Sequence, residues 1–221
     1  MVSESTCKIT DKNMVPVKTF TIAGVVPAAG VSARMGCDKR RLPLGASTLL
    51  EATVSNLVDG GCSPVVVIVE PDSPCARLPL LQGPTVSVVR LEYPSPSMRA
   101  SICAGLRALA SNVQAAAVMP GDCPLVAATV IRSILDSYRQ LRPMLYVPTY
   151  HDQQGHPRIL AREVFRDVCS MADDDRFSTI FQRRAADVVR FETGVETVVM
   201  DADTQSDYAR LLEYSAKTKA S

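Results

Sequence analysis

Residues 23–39 read AGVVPAAGVSARMGCDK, and this segment carries the strongest structural signal in the chain. It overlaps an apolar run at residues 22–26, after which Pro27 leads into three small residues, Ala28, Ala29 and Gly30. This order predicts a buried strand that ends in a turn of small residues. Such residues let the backbone approach a ligand closely, and the exposed N–H groups of the turn can cradle phosphate oxygens.

The loop after this turn carries two positive charges. Its small and charged positions include Ser32, Arg34, Gly36 and Lys39. Arg34 could neutralise a triphosphate through its forked guanidinium group, and Lys39 could do so as a point charge. The segment contains neither the G-K-[ST] of a Walker loop nor a G-x-G-x-x-G fingerprint, so the common nucleotide motifs do not account for it. The competing interpretation is an ordinary strand-to-helix turn with solvated charges.

The composition limits the classes of function that the chain can serve. The 221 residues suit one domain, which we expect at residues 19–221 behind an N-terminal extension at residues 1–18. The formal net charge of +1 gives no electrostatic case for nucleic acid. No apolar run approaches the ~20 residues that span a bilayer, and the polar N-terminus lacks the apolar region of a secretory signal. We therefore expect a cytoplasmic protein without nucleic-acid or membrane partners.

Cysteine usage is typical of a reducing compartment. The seven cysteines are odd in number and include no C-x-x-C pair, which argues against a disulfide framework or a structural zinc site. Cys37 and Cys123 lie inside candidate site motifs, but neither has a local sequence link to a histidine that could act as its base. We interpret both thiols as small filler side chains near the site.

Strand and helix patterns alternate along the chain. Apolar runs predict strands at residues 22–26, 65–69, 86–91, 115–119, 144–148, 158–160, 188–192 and 198–201. Helical spacing of apolar residues predicts helices at residues 47–59, 97–109, 126–139, 162–169, 178–185 and 206–215. This succession predicts a three-layer, Rossmann-like α/β fold with a mainly parallel, doubly wound sheet.

A carboxylate follows the strand predicted at residues 115–119. Asp122 lies in Gly121-Asp122-Cys123-Pro124, and ligands of open α/β sheets bind outside the carboxyl ends of the strands. We therefore expect Asp122 and residues 28–39 at one edge of the sheet. An aspartate there suits Mg²⁺, which takes one or two protein carboxylates together with phosphate oxygens and water. The alternative is a turn former or helix cap. We expect Asp122 to be exposed and to add little to packing.

Residues 28–39 match the pattern A-A-G-x-S-x-R-M-G-x-x-K, which resembles the signature loop of the MobA-like nucleotidyltransferases. Within that family the chain is most similar to the molybdenum cofactor cytidylyltransferases, over about residues 21–211. The resemblance implies a fold of the nucleotide-diphospho-sugar transferase type. It also implies an enzyme that uses Mg²⁺, transfers CMP from CTP to the phosphate of molybdopterin, and releases pyrophosphate. A molybdenum hydroxylase would receive the product.

The same resemblance implies roles for individual residues. Arg34, Lys39 and Asp122 would be catalytic, and Asp122 and Asp203 would be the metal ligands. Nucleotide contacts are implied at Ala28, Ala29, Gly30, Ser32, Arg34, Gly36, Lys39, Ser101 and Asp122. Because Ala-Ala-Gly accompanies cytidine use in the family and Ala-Gly-Gly accompanies guanosine use, Ala29 predicts CTP over GTP.

Two further segments resemble family motifs. Gly155-His156-Pro157 resembles the family's G-H-P, and we expect His156 to contact or position the acceptor. A turn residue without function is the alternative. Residues 201–204, Asp-Ala-Asp-Thr, resemble the start of the family's D-x-D-T-P-E-D. Here the competing interpretation is that Asp203 or Thr204 caps the last helix.

The chain departs from the family pattern on the acceptor side. The family's G-D-x-G-A-R is present only as Asp-Asp-Arg-Phe-Ser at residues 174–178, and the usual G-K-P after the signature loop is missing. Nucleotide use is therefore better supported than pterin use. Two alternatives stay open: transfer to another phosphorylated acceptor, such as a sugar or polyol phosphate, and a non-catalytic carrier or insertion chaperone for the molybdenum cofactor.

Overall fold

A computed structural model of the chain describes residues 20–30, 38–95, 97–172 and 175–220. Its strands are β1 (Ile22–Ala28), β2 (Pro43–Leu44), β3 (Ser47–Thr48), β4 (Val65–Val69), β5 (Val86–Arg90), β6 (Ala115–Val118), β7 (Leu145–Tyr150), β8 (Gln153–Gln154), β9 (Arg158–Ala161) and β10 (Val188–Glu192). Its α-helices are α1 (Leu49–Asp59), α2 (Met98–Ala108), α3 (Ala128–Leu141), α4 (Phe165–Cys169), α5 (Thr179–Arg183) and α6 (Gln205–Ala220). Among the helices of these ranges, none has the length and apolar character needed to cross a membrane.

Eight strands form one sheet in the order β10-β7-β9-β6-β1-β4-β5, with β8 paired to β7. β9 runs antiparallel to its neighbours β6 and β7, and β8 runs antiparallel to β7. The other pairs of this sheet are parallel. The mainly parallel α/β fold predicted from the alternation of strands and helices is confirmed.

The central strands bury side chains on both faces. In β1, Ile22 and Val26 join one apolar cluster, whereas Ala23 and Val25 join the other. Side chains of α1 and α3 cover the first cluster, and those of α2, α4 and α5 cover the second. A strand buried in this way reads as a continuous apolar run, and all five residues of β4 are buried. The three layers therefore follow from the apolar pattern.

A capping box fixes the start of α1. Thr48 Oγ1 accepts a hydrogen bond from the N–H of Glu51 at 3.2 Å, and the Glu51 carboxylate accepts one from the N–H of Thr48 at 3.1 Å. Each bond satisfies an N–H group that has no partner within the helix. The predicted start at residue 47 is two residues early, because residues 47–48 form β3 and pair with β2.

The strand predicted at residues 198–201 is wrong. Residues Glu196–Val199 form a short 3₁₀ helix instead. The carbonyl group of Val198 accepts a hydrogen bond from the N–H of His156 at 2.8 Å, so a loop uses the acceptor that a neighbouring strand would need. Gly155 also packs so closely here that a Cβ atom would clash with the Val198 backbone. An apolar run alone cannot distinguish this arrangement from a strand.

Candidate active site

The carboxyl ends of β1 and β6 lie side by side. The two strands pair in parallel, with Val25 opposite Val118. Ala28 and Asp122 therefore leave the sheet at the same edge, as the sequence predicts. Gly121, in the turn before Asp122, packs closely against α1: a Cβ atom there would lie 2.8 Å from Leu50 Cδ1, so the buried Leu50 side chain would have to shift.

Lys39 joins the signature loop, residues 28–39, to two aspartates. Its ammonium group forms an ion pair with Asp122 and lies 2.7 Å from Asp203 Oδ1. Desolvation opposes protonation of Lys39, but the carboxylates of Asp122 and Asp203 outweigh it and raise the pKa of Lys39. Three predicted site residues, taken from distant parts of the sequence, thus meet at one charged cluster.

Asp122 is buried, and the prediction that it is exposed is wrong. Only 6% of its surface is accessible. The segment before α6 covers it, with the N–H of Ala202 donating to the Asp122 carbonyl oxygen at 3.2 Å. A buried carboxylate is costly unless a cation accompanies it, and Lys39 supplies that cation. Asp122 therefore contributes to the fold as well as to the site.

Arg40 holds the two ends of the signature loop together. Its guanidinium group donates to the carbonyl oxygen of Ala28, and its Nε lies 2.5 Å from Asp38 Oδ1. Since Ala28 is the first residue of the loop and Arg40 follows its last residue, the two ends of the loop lie together. No local pattern in the sequence links Arg40 to Ala28. The other predicted loop residues lie outside the described residues: Ser32, Arg34 and Gly36, together with Cys37.

Thr204 and Asp207 cap α6. Thr204 Oγ1 accepts from the N–H of Asp207 at 3.2 Å, and Asp207 Oδ2 accepts from the N–H of Thr204 at 2.8 Å. These reciprocal bonds form a capping box, so Asp203 is not the cap. The Asp203 side chain instead contacts Lys39, and 45% of it is exposed. This arrangement favours Asp203 as a ligand for a cation.

Asp201 is a third carboxylate at this edge. Desolvation raises the pKa of Asp201 to about 6, and the negative charges of Asp122 and Asp203 act in the same direction. The described part of the chain contains no cluster of three or more His, Cys, Asp or Glu side chains arranged as a metal centre. The oxygen donors present fit a cation that takes one or two carboxylates and completes its shell with ligand oxygens and water, as Mg²⁺ does.

The imidazole of His156 is desolvated next to the end of β6. It hydrogen-bonds the backbone of Val118, and its Nδ1 atom is buried without a partner among the described residues. Desolvation, assisted by the charge of Arg158, lowers the pKa of His156 to about 3, so the imidazole is neutral at physiological pH. A role in contacting or positioning the acceptor stays a prediction, with His156 as a neutral hydrogen-bonding group.

Ser101 is fully buried in the first turns of α2. Its Oγ lies 2.8 Å from Ser95 Oγ and 3.5 Å from the Ala29 carbonyl oxygen. Ala29 belongs to the apolar cluster beneath α2, whereas Gly30 is exposed. The structure gives Ser101 a position that supports the small-residue turn from below. Direct contact between Ser101 and a nucleotide stays a prediction.

Arg158 is a cation at this edge that sequence reasoning missed. Because β9 is antiparallel to β6, its first residue lies opposite Val118, where β6 ends. Desolvation lowers the pKa of Arg158, and its guanidinium group lies 5.4 Å from the ring centre of Phe181. None of the carboxylates in the described ranges forms an ion pair with it. A partly buried arginine without a carboxylate partner is suited to an anionic ligand.

The environment of Cys123 fits its interpretation as a filler. Its side chain is 1% exposed. Desolvation and the nearby charge of Asp122 raise the pKa of Cys123 well above its usual value. A thiol held protonated in this way is a poor nucleophile.

Comparison with known proteins identifies the family. The family model of the MobA-like NTP transferase domain matches residues 24–188. A probable molybdenum cofactor guanylyltransferase from Mycobacterium tuberculosis H37Rv is 38% identical over 119 residues, which are 52% of this chain and 56% of that protein. A 2-C-methyl-D-erythritol 4-phosphate cytidylyltransferase from Cronobacter sakazakii is 36% identical over 119 residues, 52% of this chain and 48% of that protein. The chain spans about half the length of these curated relatives.

Solved structures agree with this assignment. Rv0371c from Mycobacterium tuberculosis H37Rv superposes with a TM-score of 0.74 at 28% identity, covering 87% of this chain and 97% of that one. A complex of Rv0371c with manganese superposes with a TM-score of 0.68 at 25% identity, covering 87% and 98%. The fold is of the nucleotide-diphospho-sugar transferase type, as predicted. The chain belongs to the MobA-like NTP transferase family.

Proposed function

We propose that this MobA-like NTP transferase transfers CMP from CTP to the phosphate of a molybdopterin acceptor and releases pyrophosphate. The observation that carries the proposal is the contact of Lys39 with Asp122 and Asp203. It joins a cation of the signature loop to two acidic side chains at the edge where open α/β sheets bind ligands. Relatives named as guanylyl- and cytidylyltransferases support the class of reaction.

Positioning and charge neutralisation account for the chemistry. An oxygen of the acceptor phosphate would attack the α-phosphorus of the nucleotide in line, and the bond to pyrophosphate would break on the opposite side. A phosphate monoester is already an anionic nucleophile, so the reaction needs no general base. This agrees with a neutral, desolvated His156. Lys39, with Arg34 of the same loop, would offset the charge that develops on the departing pyrophosphate.

Asp122 and Asp203 are the side chains that would hold a divalent cation, Mg²⁺ in this proposal. The manganese complex of Rv0371c supports the use of a divalent ion. When bound, such an ion supplies charge stabilisation at phosphate oxygens. Lys39 contacts the same two carboxylates, so it would compete with the cation for their oxygens when no nucleotide is present.

Ala29 is the basis for proposing CTP. Its methyl group packs in the cluster beneath α2, and its carbonyl oxygen lies near Ser101. Compared with a glycine at position 29, the Cβ atom of Ala29 would hold the turn away from α2 and narrow the space beside the nucleotide base. The narrower space would weaken the binding of a purine. The relatives named as guanylyltransferases favour GTP as the second candidate, and direct measurement distinguishes the two.

Arg158 is our candidate for binding the acceptor phosphate. It lies opposite Val118, the last residue of β6, on the face of the sheet that α5 covers, and its guanidinium group lies over the ring of Phe181 in that helix. The described part of the altered segment, residues 175–178, leads into α5, and Phe177 packs against Phe181, so this part of the segment and Arg158 belong to the same side of the site. A sugar or polyol phosphate would present the same anionic group and is the alternative acceptor.

Pyrophosphate release tests the proposal. The full chain is assayed with each of the four nucleoside triphosphates and Mg²⁺, without acceptor, with molybdopterin, and with 2-C-methyl-D-erythritol 4-phosphate. We expect release that needs molybdopterin and is fastest with CTP. Equal or faster release with GTP would overturn the base assignment, and release only with the polyol phosphate would overturn the acceptor. A parent protein that releases no pyrophosphate with any pair, yet delivers molybdenum cofactor, would be a carrier.

A further inference from the structure

A cavity lies near the edge of the sheet opposite the candidate active site. Its volume is about 500 Å³, and its lining includes Arg107, Arg162, Arg166 and Cys169. Arg162 donates to the carbonyl oxygen of Val113 at 3.0 Å, just before β6 begins. The cavity is therefore close to the amino ends of the parallel strands, whereas the cluster around Lys39 lies beyond their carboxyl ends.

Two thiols from different helices meet at the wall of this cavity. Cys103 of α2 has its Sγ 3.6 Å from the carbonyl oxygen of Val168, the residue that precedes Cys169 in α4. Cys169 in turn has its Sγ 4.0 Å from the carbonyl oxygen of Cys103. Each thiol therefore lies against the backbone of the other helix, and the two side chains are within hydrogen-bonding reach of each other. Cys103 is 4% exposed, whereas Cys169 lines the cavity.

The surroundings of the pair shift the pKa values of the two thiols in opposite directions. Hydrogen bonding with Cys103 lowers the pKa of Cys169 against the opposing effect of desolvation, and Arg107 and Arg99 act in the same direction as Cys103. Hydrogen bonding with Cys169 and desolvation raise the pKa of Cys103. Cys169 is therefore the thiol that ionises, and Cys103 keeps its proton. Thiolate character together with access from solvent is what makes a cysteine react with oxidants.

We propose that Cys103 and Cys169 form a peroxide-sensitive pair that closes to a disulfide between α2 and α4. The Cys169 thiolate attacks one oxygen of a peroxide, the O–O bond breaks, and the other oxygen leaves as an alcohol or water after taking a proton. Cys103 then attacks the resulting sulfenic acid, the S–O bond breaks, and the hydroxyl leaves as water with the proton of Cys103. Two thiols are oxidised by two electrons, and one peroxide is reduced.

The other described cysteines offer no comparable site. Cys62, Cys75 and Cys123 are buried, and desolvation raises the pKa of each. The pair also has a structural link to the candidate active site, since α2 carries Ser101 beneath the small-residue turn. Oxidation would tie that helix to α4, although the proposal itself stands independently of the nucleotide chemistry.

Peptide mapping of the full chain tests this directly. The reduced protein is treated with a small excess of hydrogen peroxide, alkylated, and digested with trypsin without reduction. Cleavage at arginine gives one peptide of residues 100–107 with Cys103 and another of residues 167–176 with Cys169. We expect the predominant oxidised product to contain these two peptides joined by a disulfide. The mass of the joined peptide should be 2 Da below the sum of the two peptide masses, and dithiothreitol should separate the two peptides.

Two variants and one control make the order of events testable. Cys103→Ser should leave a sulfenic acid on Cys169 that dimedone traps, whereas Cys169→Ser should give no trapped product on Cys103. Ser170→Ala changes the same cavity wall, keeps both thiols, and should form the link as the parent does. Absence of the link in the parent, linkage to other cysteines in equal amount, or no dimedone adduct on Cys169 in Cys103→Ser would overturn the proposal.

Discussion

The two edges of the sheet surround their reactive groups with opposite charges. At the carboxyl edge, the cation Lys39 lies among the carboxylates of Asp122 and Asp203. Toward the amino edge, the thiol of Cys169 lies among arginines. The surroundings of a thiol decide its pKa here: burial and the charge of Asp122 raise the pKa of Cys123, whereas a hydrogen bond with Cys103, with Arg107 and Arg99 acting in the same direction, lowers the pKa of Cys169. Residue type alone therefore does not identify a reactive group in this chain.

The largest expected effect comes from removing the buried charge at the carboxyl edge. Asp122→Asn keeps the shape of the side chain but leaves Lys39 without the Asp122 carboxylate. We expect turnover to fall by roughly 10³-fold or more, since a group that organises charge at the reacting phosphates is lost. Pyrophosphate release measures turnover, and thermal unfolding checks that the variant is folded. Asp136→Asn, at an exposed position on α3, is the matched control.

A folded Asp122→Asn protein with near-parental turnover would contradict the assignment of Asp122 to the site. It would also remove the contrast between the two edges, since the acidic cluster would then serve only the fold.

The next largest effect concerns Lys39. Lys39→Ala should lower the turnover number by ~10²–10³, the scale expected when one preorganised charge donor is lost. The affinity for CTP should fall less, because a contact that strengthens in the transition state contributes more to rate than to binding. Arg34→Ala should behave alike. Arg41→Ala, exposed in the same short segment as Lys39, is the control and should retain parental rates. A larger loss of CTP affinity than of rate would instead assign Lys39 to binding.

Local signals predicted much of the fold, and long-range contacts account for what was missed. The β-branched run of β4 and the capping residues of α1 each depend on residues close together in the sequence, so the sequence pattern predicts both. The burial of Asp122 depends on the segment before α6, and the contact of Arg40 with Ala28 closes a loop. Neither leaves a periodic trace in the sequence.

The direction of β9 explains why Arg158 was not predicted as a site residue. Sequence reasoning found a strand near residues 158–160, but it could not tell that this strand runs antiparallel to its neighbours. In a parallel sheet the first residue of a strand lies away from the ligand. Here the antiparallel direction of β9 brings Arg158 to the carboxyl edge, where it adds a cation near the acidic cluster.

Substitution of Arg158 should have an effect of intermediate size. Arg158→Ala should raise the KM for the acceptor by ~10-fold and leave the KM for CTP nearly unchanged, as expected when one charge-assisted contact to a phosphate is lost. Arg158→Lys should restore part of the affinity, because it keeps the charge without the fork. Arg190→Ala, exposed on β10, is the control. An equal rise in both KM values would mean that Arg158 does not distinguish the acceptor from the nucleotide.

A smaller effect concerns stability and His156. Its folded pKa of about 3 lies below the usual value, so the unfolded chain takes up a proton as the pH falls and the folded chain does not. His156 therefore contributes to the free energy of unfolding fully above about pH 6.5. The contribution is lost progressively below that pH, by about 2 kcal/mol at pH 5. Denaturant unfolding of the parent and of His156→Gln at several pH values measures it. We expect the free energy of unfolding to depend less steeply on pH in the variant than in the parent, and an equal slope in the two proteins would contradict the lowered pKa of His156.

The smallest expected effect on turnover is that of Cys169, and it separates the two edges most cleanly. Under reducing conditions Cys169→Ser should release pyrophosphate within about twofold of the parent, because substitutions remote from the reacting groups change rates little. Iodoacetamide, which reacts with thiolates, should label Cys169 of the native parent at pH 7 well before Cys123. The reason is that a hydrogen bond with Cys103, together with the nearby arginines, stabilises the thiolate of Cys169, whereas burial and Asp122 disfavour that of Cys123. Equal labelling of the two cysteines would show that these surroundings do not govern their reactivity. A large loss of turnover in Cys169→Ser would show that the two edges of the sheet are not independent.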